Sequence, residues 1–132
     1  KKINVSAATH VPTFLMPAAE KALGLKEEVE AMQEAFAERR LAIHEGFASL
    51  PGVVAPRPEG AFYILCDITG TGMTDMEFAK EALEQAKVQL IPGSLMKGGE
   101  GLVRISYATS LENIHEGVRR LRTWLESRGS QG

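Results

Sequence analysis

The sequence predicts an α+β two-layer sandwich, in which a small mixed or antiparallel sheet carries helices on one face. Two pairs of short β-branched and aromatic runs, within 53–65 and 88–107, supply the strands. Three stretches of helical apolar periodicity precede, separate and follow those pairs. Pro51-Gly52 and Pro92-Gly93 punctuate the boundaries. The order is thus helix, two strands, helix, two strands, helix, and 132 residues suffice for one core.

Taken in order, the chain opens Lys1-Lys2-Ile3-Asn4-Val5, without an initiator methionine and without a start signal for any element. Either a tag has been removed or the sequence begins inside a longer polypeptide, and the second is the expectation. Residues 6–13 are small, polar and proline-broken, and read as a loop. Residues 17–23 read as a helix that tolerates Pro17 in its first turn and is interrupted by Gly24. Leu25, Val29, Met32, Phe36, Ile43, Phe47 and Leu50 then fall on one stripe, with Glu and Lys on the other faces. A helix over 25–50 would be about 39 Å long, enough to run between domains as well as serve a core.

Val53-Val54-Ala55 and residues 61–65 read as strands around a Pro56, Pro58, Gly60 turn. Thr74-Asp75-Met76-Glu77 is a capping box, with Met73 and Phe78 placed as a hydrophobic staple. Phe78, Ala79, Ala82, Leu83 and Ala86 give the following short helix its buried face. Residues 88–91 form a third strand stopped by Pro92-Gly93, and residues 102–107 a fourth. The intervening loop 93–101 holds four glycines and reads as a flexible connection. Thr109-Ser110-Leu111-Glu112 repeats the capping-box pattern and opens a last helix striped by Leu111, Ile114, Val118, Leu121 and Leu125. The tail from 127 is polar and frayed.

Composition excludes several classes of function. A formal net charge of −2 argues against nucleic-acid binding, which calls for a clustered basic surplus. No apolar run approaches the roughly 20 residues that span a bilayer, and there is no signal-peptide pattern. The single cysteine, Cys66, cannot form an internal disulfide, so a reducing cytoplasm is the expected compartment. Cys66 itself reads as a small apolar strand residue rather than a nucleophile. His10, His44 and His115 are scattered without metal-ligand spacing, so no metal site is expected. The 93–101 loop lacks the Gly-Lys-Ser/Thr ending of a phosphate-binding loop, and a strand follows it. No catalytic residue is expected in these 132 positions.

Arg104 stands apart. In an alternating strand, Val103, Ile105 and Tyr107 share one face, and Leu102, Arg104 and Ser106 the other. If the apolar trio packs on the helices, Arg104 presents a rigidly mounted planar fork suited to a carboxylate. On spacing alone, an ion pair with a neighbouring Asp or Glu is the commoner role for such an arginine.

Four motifs occur in sequence: Pro51-Gly52-Val53, Pro58-Glu59-Gly60-Ala61-Phe62-Tyr63, Ile91-Pro92-Gly93-Ser94 and Val103-Arg104-Ile105-Ser106-Tyr107-Ala108. With Glu38-Arg39-Arg40 on the long helix and the opening Ala8-Thr9-His10-Val11-Pro12-Thr13, they resemble the C-terminal part of class I/II, fold-type I pyridoxal-phosphate aminotransferases of the aspartate aminotransferase type. The resemblance covers about residues 6–126. It implies the C-terminal domain of a PLP-dependent transferase fold, with 1–24 as the end of the large domain and interdomain link and 25–132 as the small domain. It also implies that Arg104 grips the substrate α-carboxylate and that Phe62 is the aromatic at the pocket mouth. Phe62 reads nearly as well as a core strand residue. His10 stands where Asn is common in the family, and Leu95-Met96-Lys97 replaces an aromatic and Gly, so neither is given a role.

By the same resemblance the parent is a cytoplasmic homodimer moving an amino group between an amino acid and a 2-oxo acid on pyridoxal 5'-phosphate. The Schiff-base lysine and the residues that hold the cofactor's phosphate and pyridine nitrogen belong upstream, so no cofactor-binding residue is expected here and the chain alone is expected to be inactive. A lyase or an aminotransferase-like regulator domain would carry the same motifs. Two other readings stand beside it: a free-standing amino- or oxo-acid binding module using Arg104, and an α+β domain in which Arg104 is only an ion-pair partner.

Overall fold

Pro12 leads into a turn of 3-10 helix, Thr13–Leu15, and then into helix α1, Met16–Ala22, which carries Pro17 in its first turn. There the missing amide costs nothing, because the first N–H groups of a helix have no partner. Gly24 separates α1 from α2, Lys26–Ala48, the predicted long helix. The computed structural model describes residues 12–129. His10 and most of the predicted 6–13 loop, like the end of the tail, lie outside the described residues.

The chain divides into two compact units, Lys1–Glu34 and Ala35–Gly132. In the first, every described side chain is at least partly exposed, including Val29 and Met32 of the predicted stripe. In the second, the stripe is buried at Ile43, Phe47 and Leu50, and Phe36 packs against the core edge. The apolar periodicity therefore predicts the helix correctly along its length, but only its later part finds a core to fill.

The second unit is a three-stranded antiparallel sheet backed by helices. Its strands are β1, Tyr63–Asp67, β2, Ile91–Pro92, and β3, Leu102–Ser106, in spatial order β1-β3-β2. Helix α3, Asp75–Glu81, continues into a π-helical turn, Ala82–Ala86, and α4 spans Leu111–Gly129. Ile64 and Cys66 of β1, Val103 and Ile105 of β3, and Tyr107 just beyond it meet Phe78, Ile114 and Leu121 of the helices in one core. The opposite sheet face, with Tyr63, Leu65 and Ser106, stays exposed. The predicted two-layer arrangement is thus present, and the sheet is wholly antiparallel.

The last predicted strand is one residue shorter than expected, and the other three change by two residues or more, each for a backbone reason. Residues 53–55 form no strand, only a bridge in which Val54 exchanges hydrogen bonds with Asp67 at 2.8 and 2.9 Å. Pro56 and Pro58 lack the donors to extend it. The next strand begins at Tyr63 because Ala61 has φ +60, in the left-handed region that breaks an extended run. Residues 88–91 shrink to Ile91–Pro92, where proline again ends the ladder.

At the helix starts, the first capping box forms in full: the Glu77 amide donates to Thr74 Oγ1 while Glu77 Oε2 accepts from the Thr74 amide. The second is displaced by one residue, since the Asn113 amide donates to Ser110 Oγ, making Ser110 the cap instead of Thr109. In the short helix, Phe78, Ala79, Ala82 and Ala86 are buried but Leu83 is exposed. It lies five residues, or about 140° around the axis, from Phe78.

The 93–101 loop is a braced turn and not the predicted flexible connection. Successive backbone bonds run from Met96 to Gly93, Gly99 to Met96 and Leu102 to Gly99, and the Ser94 amide donates to Asp75 Oδ2 at 2.6 Å. Gly93 and Gly99 press backbone on backbone, where a Cβ on Gly93 would meet the Gly99 carbonyl oxygen at 1.9 Å. The glycines here permit close approach, not motion.

Gly46, inside α2, faces Val118 so closely that a Cβ would stand 2.6 Å from Val118 Cγ2. Gly46→Ala gains about 1 kcal/mol of helix propensity but meets an overpacking cost of about 1–3 kcal/mol, so its melting temperature is expected to stay level or fall; a rise would show that the helices part freely. Asp75 is 5% exposed, and the hydrogen bonds from Ser94 hold its carboxyl below the usual carboxylate range. Its contribution is present above the unfolded carboxyl's pKa of about 3.9 and is lost as pH falls through the lower folded value. Asp75→Ala is expected to cost about 1.5–3 kcal/mol in urea unfolding at neutral pH, and to flatten the fall in stability that the wild type shows below about pH 4.

Candidate functional site

β3 is the central strand, so both of its edges are occupied and its side chains are fixed by two ladders. Val103, Ile105 and Tyr107 are buried, while Leu102, Arg104 and Ser106 alternate onto the other face, as the sequence predicts. Arg104 pairs with Leu65 on one side and Ile91 on the other. Its long stem therefore rises between two aliphatic neighbours. Among the described residues, no carboxylate lies within ion-pair distance of its guanidinium. The described ion pairs are elsewhere, on α4 with Glu116 and between Arg128 and Glu81. The structural ion pair that spacing alone favours is thus absent from the described residues.

What Arg104 does meet is an aromatic ring. Its Cζ lies 5.2 Å from the centroid of Tyr63, within cation–π range. Tyr63 is diagonal to Arg104 in the antiparallel register, at the separation an aromatic and a long side chain can bridge. Phe62 stands edge-on to Tyr63, with centroids 5.3 Å apart and planes at 80°. Phe62, Tyr63 and Arg104 thus form a continuous series of contacts. Phe62 is 51% exposed, so the alternative reading as a core residue does not hold.

The backbone beneath Phe62 is held by Tyr107. The Tyr107 amide donates to the Phe62 carbonyl at 2.9 Å, and the phenol donates to the Ala61 carbonyl at 2.8 Å. Ala61 is a non-glycine residue at φ +60, a conformation that costs about 1–2 kcal/mol and needs such bracing. Tyr107 itself is 1% exposed, with its ring edge-on to Phe36 of α2 at 6.3 Å. One buried tyrosine therefore ties the aromatic pair to the core.

The remaining candidates fall away from this face. Cys66 is fully buried on the core side of β1, and burial pushes its thiol up to about 12, far from a reactive thiolate. His44 is half-buried on α2 with Nδ1 2.9 Å from the Ala55 carbonyl, so Nδ1 carries a proton there; His115 is exposed on α4. Among the described residues, no group of three or more His, Cys, Asp or Glu could hold a metal. Pyridoxal phosphate would need an amine for its aldehyde and donors for its phosphate. The strand positions on the open face are Tyr63, Leu65, Asp67, Ile91, Leu102, Arg104 and Ser106, with no lysine among them, and Asp67 is engaged by Thr69. These residues do not fit the cofactor, although Arg104 fits a carboxylate.

Ala61, Tyr63 and Tyr107 lie within the quoted motifs, but nothing in their spacing assigns them these contacts. Finding Tyr63 requires the register between β1 and β3, and finding the brace requires the left-handed turn at Ala61.

Comparison with known proteins identifies the family and the fold. The family model described as aminotransferase class I and II matches residues 2–121. An aspartate aminotransferase of Pyrococcus horikoshii is 38% identical over 129 residues, covering 95% of this chain and 33% of that protein. The crystal structure of an aromatic aminotransferase from the same organism superposes with a TM-score of 0.89 at 37% identity, covering 97% of this chain and 35% of that one. An aspartate aminotransferase from Rhizobium meliloti gives 0.87 at 28% identity, covering 94% and 34%. The chain therefore spans about a third of the length of these relatives. Over that third, in fold and in sequence, the chain belongs to the aminotransferase class I and II family.

Proposed function

We propose that this chain is the carboxylate-gripping small domain of a pyridoxal-phosphate-dependent aminotransferase, with Arg104 binding the α-carboxylate of amino-acid and 2-oxo-acid substrates and Phe62 bordering the pocket. The observation that carries the reading is Arg104 itself, a guanidinium fixed on the central strand of an open sheet face, with no acidic partner among the described residues. Membership of the family and the aspartate and aromatic aminotransferases among its relatives supply the reaction class. In this reading residues 1–24 belong with the large domain and the link, 25–132 with the small domain, and the parent works as a cytoplasmic homodimer. No described helix is long and apolar enough to cross a membrane.

The chemistry follows from what the substrates share. Both half-reactions of an amino-group exchange present an α-carboxylate, so one fixed fork orients the amino acid and the oxo acid alike. Two parallel N–H···O bonds from a planar guanidinium fix the position and the tilt of that carboxylate. Lysine would keep the charge and lose the two-point geometry. Pyridoxal phosphate, when bound in the parent, would supply the electron sink, and its anchoring residues lie by this proposal in other parts of the parent.

Two measurements test the proposal. In the complete aminotransferase, Arg104→Ala is expected to lower kcat/KM by about 10- to 150-fold, the equivalent of one charge-assisted contact, with Arg104→Lys recovering only part of it and the melting temperature little changed. An unchanged kcat/KM would remove the carboxylate role. The 132-residue chain mixed with pyridoxal phosphate, an amino acid and a 2-oxo acid is expected to give no turnover. Tight calorimetric binding of those acids to the chain alone would favour instead a binding module that works without catalysis.

A further inference from the structure

We infer that Tyr63 is a positioning residue for Arg104: its ring face holds the guanidinium on the open side of the sheet, in the plane that a carboxylate needs, and links it to Phe62. This rests on the carboxylate-binding reading above and adds to it a role for a residue that the quoted motifs contain but leave without one.

The geometry makes Tyr63 the one aromatic within reach of Arg104 among the described contacts. Arg104 has Leu65 and Ile91 as its direct partners across the two ladders, and neither can interact with the charge. Tyr63, on the diagonal, places its ring centroid 5.2 Å from Arg104 Cζ. An arginine side chain has several rotatable bonds and roughly 2 kcal/mol of rotamer entropy to lose when it is fixed. A carboxylate approaching a free-swinging fork meets that cost, whereas a ring that already favours one orientation removes part of it before binding. The ring does so without neutralising the guanidinium, as an acidic partner would. That leaves all five N–H donors available to the substrate.

Tyr63 is itself held. It is 38% exposed, it begins β1 opposite Ser106, and Phe62 packs edge-on against it. The turn before it is pinned through the Ala61 and Phe62 carbonyls to Tyr107, whose ring is buried. The orientation of the fork thus traces back through an exposed aromatic pair to a buried phenol. The contact uses the ring and not the hydroxyl, so phenylalanine should serve and an aliphatic residue should not.

The test compares Tyr63→Phe, Tyr63→Leu, Arg104→Leu and the Tyr63→Leu/Arg104→Leu double variant in the complete holoenzyme. Tyr63→Leu is expected to raise KM about 2- to 5-fold, the equivalent of an exposed cation–π contact. The factor should be the same for amino acids and 2-oxo acids of different side chain, because the α-carboxylate is common to all. Tyr63→Phe should restore the wild-type KM. A primary amine analogue lacking the carboxylate should react equally slowly with wild type and Tyr63→Leu, and Tyr63→Leu should add nothing in the Arg104→Leu background. Equal losses on the amine analogue, or full additivity in the double variant, would overturn the inference and leave Tyr63 a structural residue while the Arg104 reading stands. An Arg104→Leu enzyme with unchanged KM would overturn the carboxylate reading, and this inference with it.

Discussion

The two-residue period of β3 is the constraint on which the rest of this structure depends, because it forces one strand to serve two opposed environments. Val103, Ile105 and Tyr107 must be buried if the helices are to have a sheet to pack on. Leu102, Arg104 and Ser106 are then delivered to the opposite face whatever they are. A slip of one residue in the register would drive a guanidinium into the core and three apolar side chains into water. Core packing therefore fixes Arg104 on its face far more firmly than any contact that Arg104 makes for itself.

The same division runs through β1 and its approach. Ile64 and Cys66 are buried, Tyr63 and Leu65 are not, and the chain reaches them through a left-handed Ala61. Tyr107, just beyond β3, joins the two faces, since its ring belongs to the core and its hydrogen bonds set the turn that presents Phe62 and Tyr63. A residue counted as core by its burial is in this way also part of how the open face is arranged.

Much of this was legible in the sequence. The helix stripes, the first capping box and the alternation that places Arg104 depend on local spacing, and local spacing is what a sequence displays. What escaped depends on partners distant along the chain. Nothing in the run 53–55 reveals that it will make only a single bridge, at Val54, and the four glycines of 93–101 suggest freedom until Gly93 and Gly99 are seen pressed together. Likewise the contact of Tyr63 with Arg104 joins positions 41 apart and needs the strand register. Membership of the family was readable from four ordered motifs, whereas the reach of the core along α2 was not: the same apolar stripe continues at Val29 and Met32, where it remains exposed.

The short edge strand has a consequence for how this chain behaves in a crowded solution. Unpaired strand edges are templates on which other chains add by backbone pairing. On the β2 side the template is two residues long, and one of them, Pro92, has no N–H to offer. Ordered fibril growth from that edge is thereby blocked at the level of the main chain.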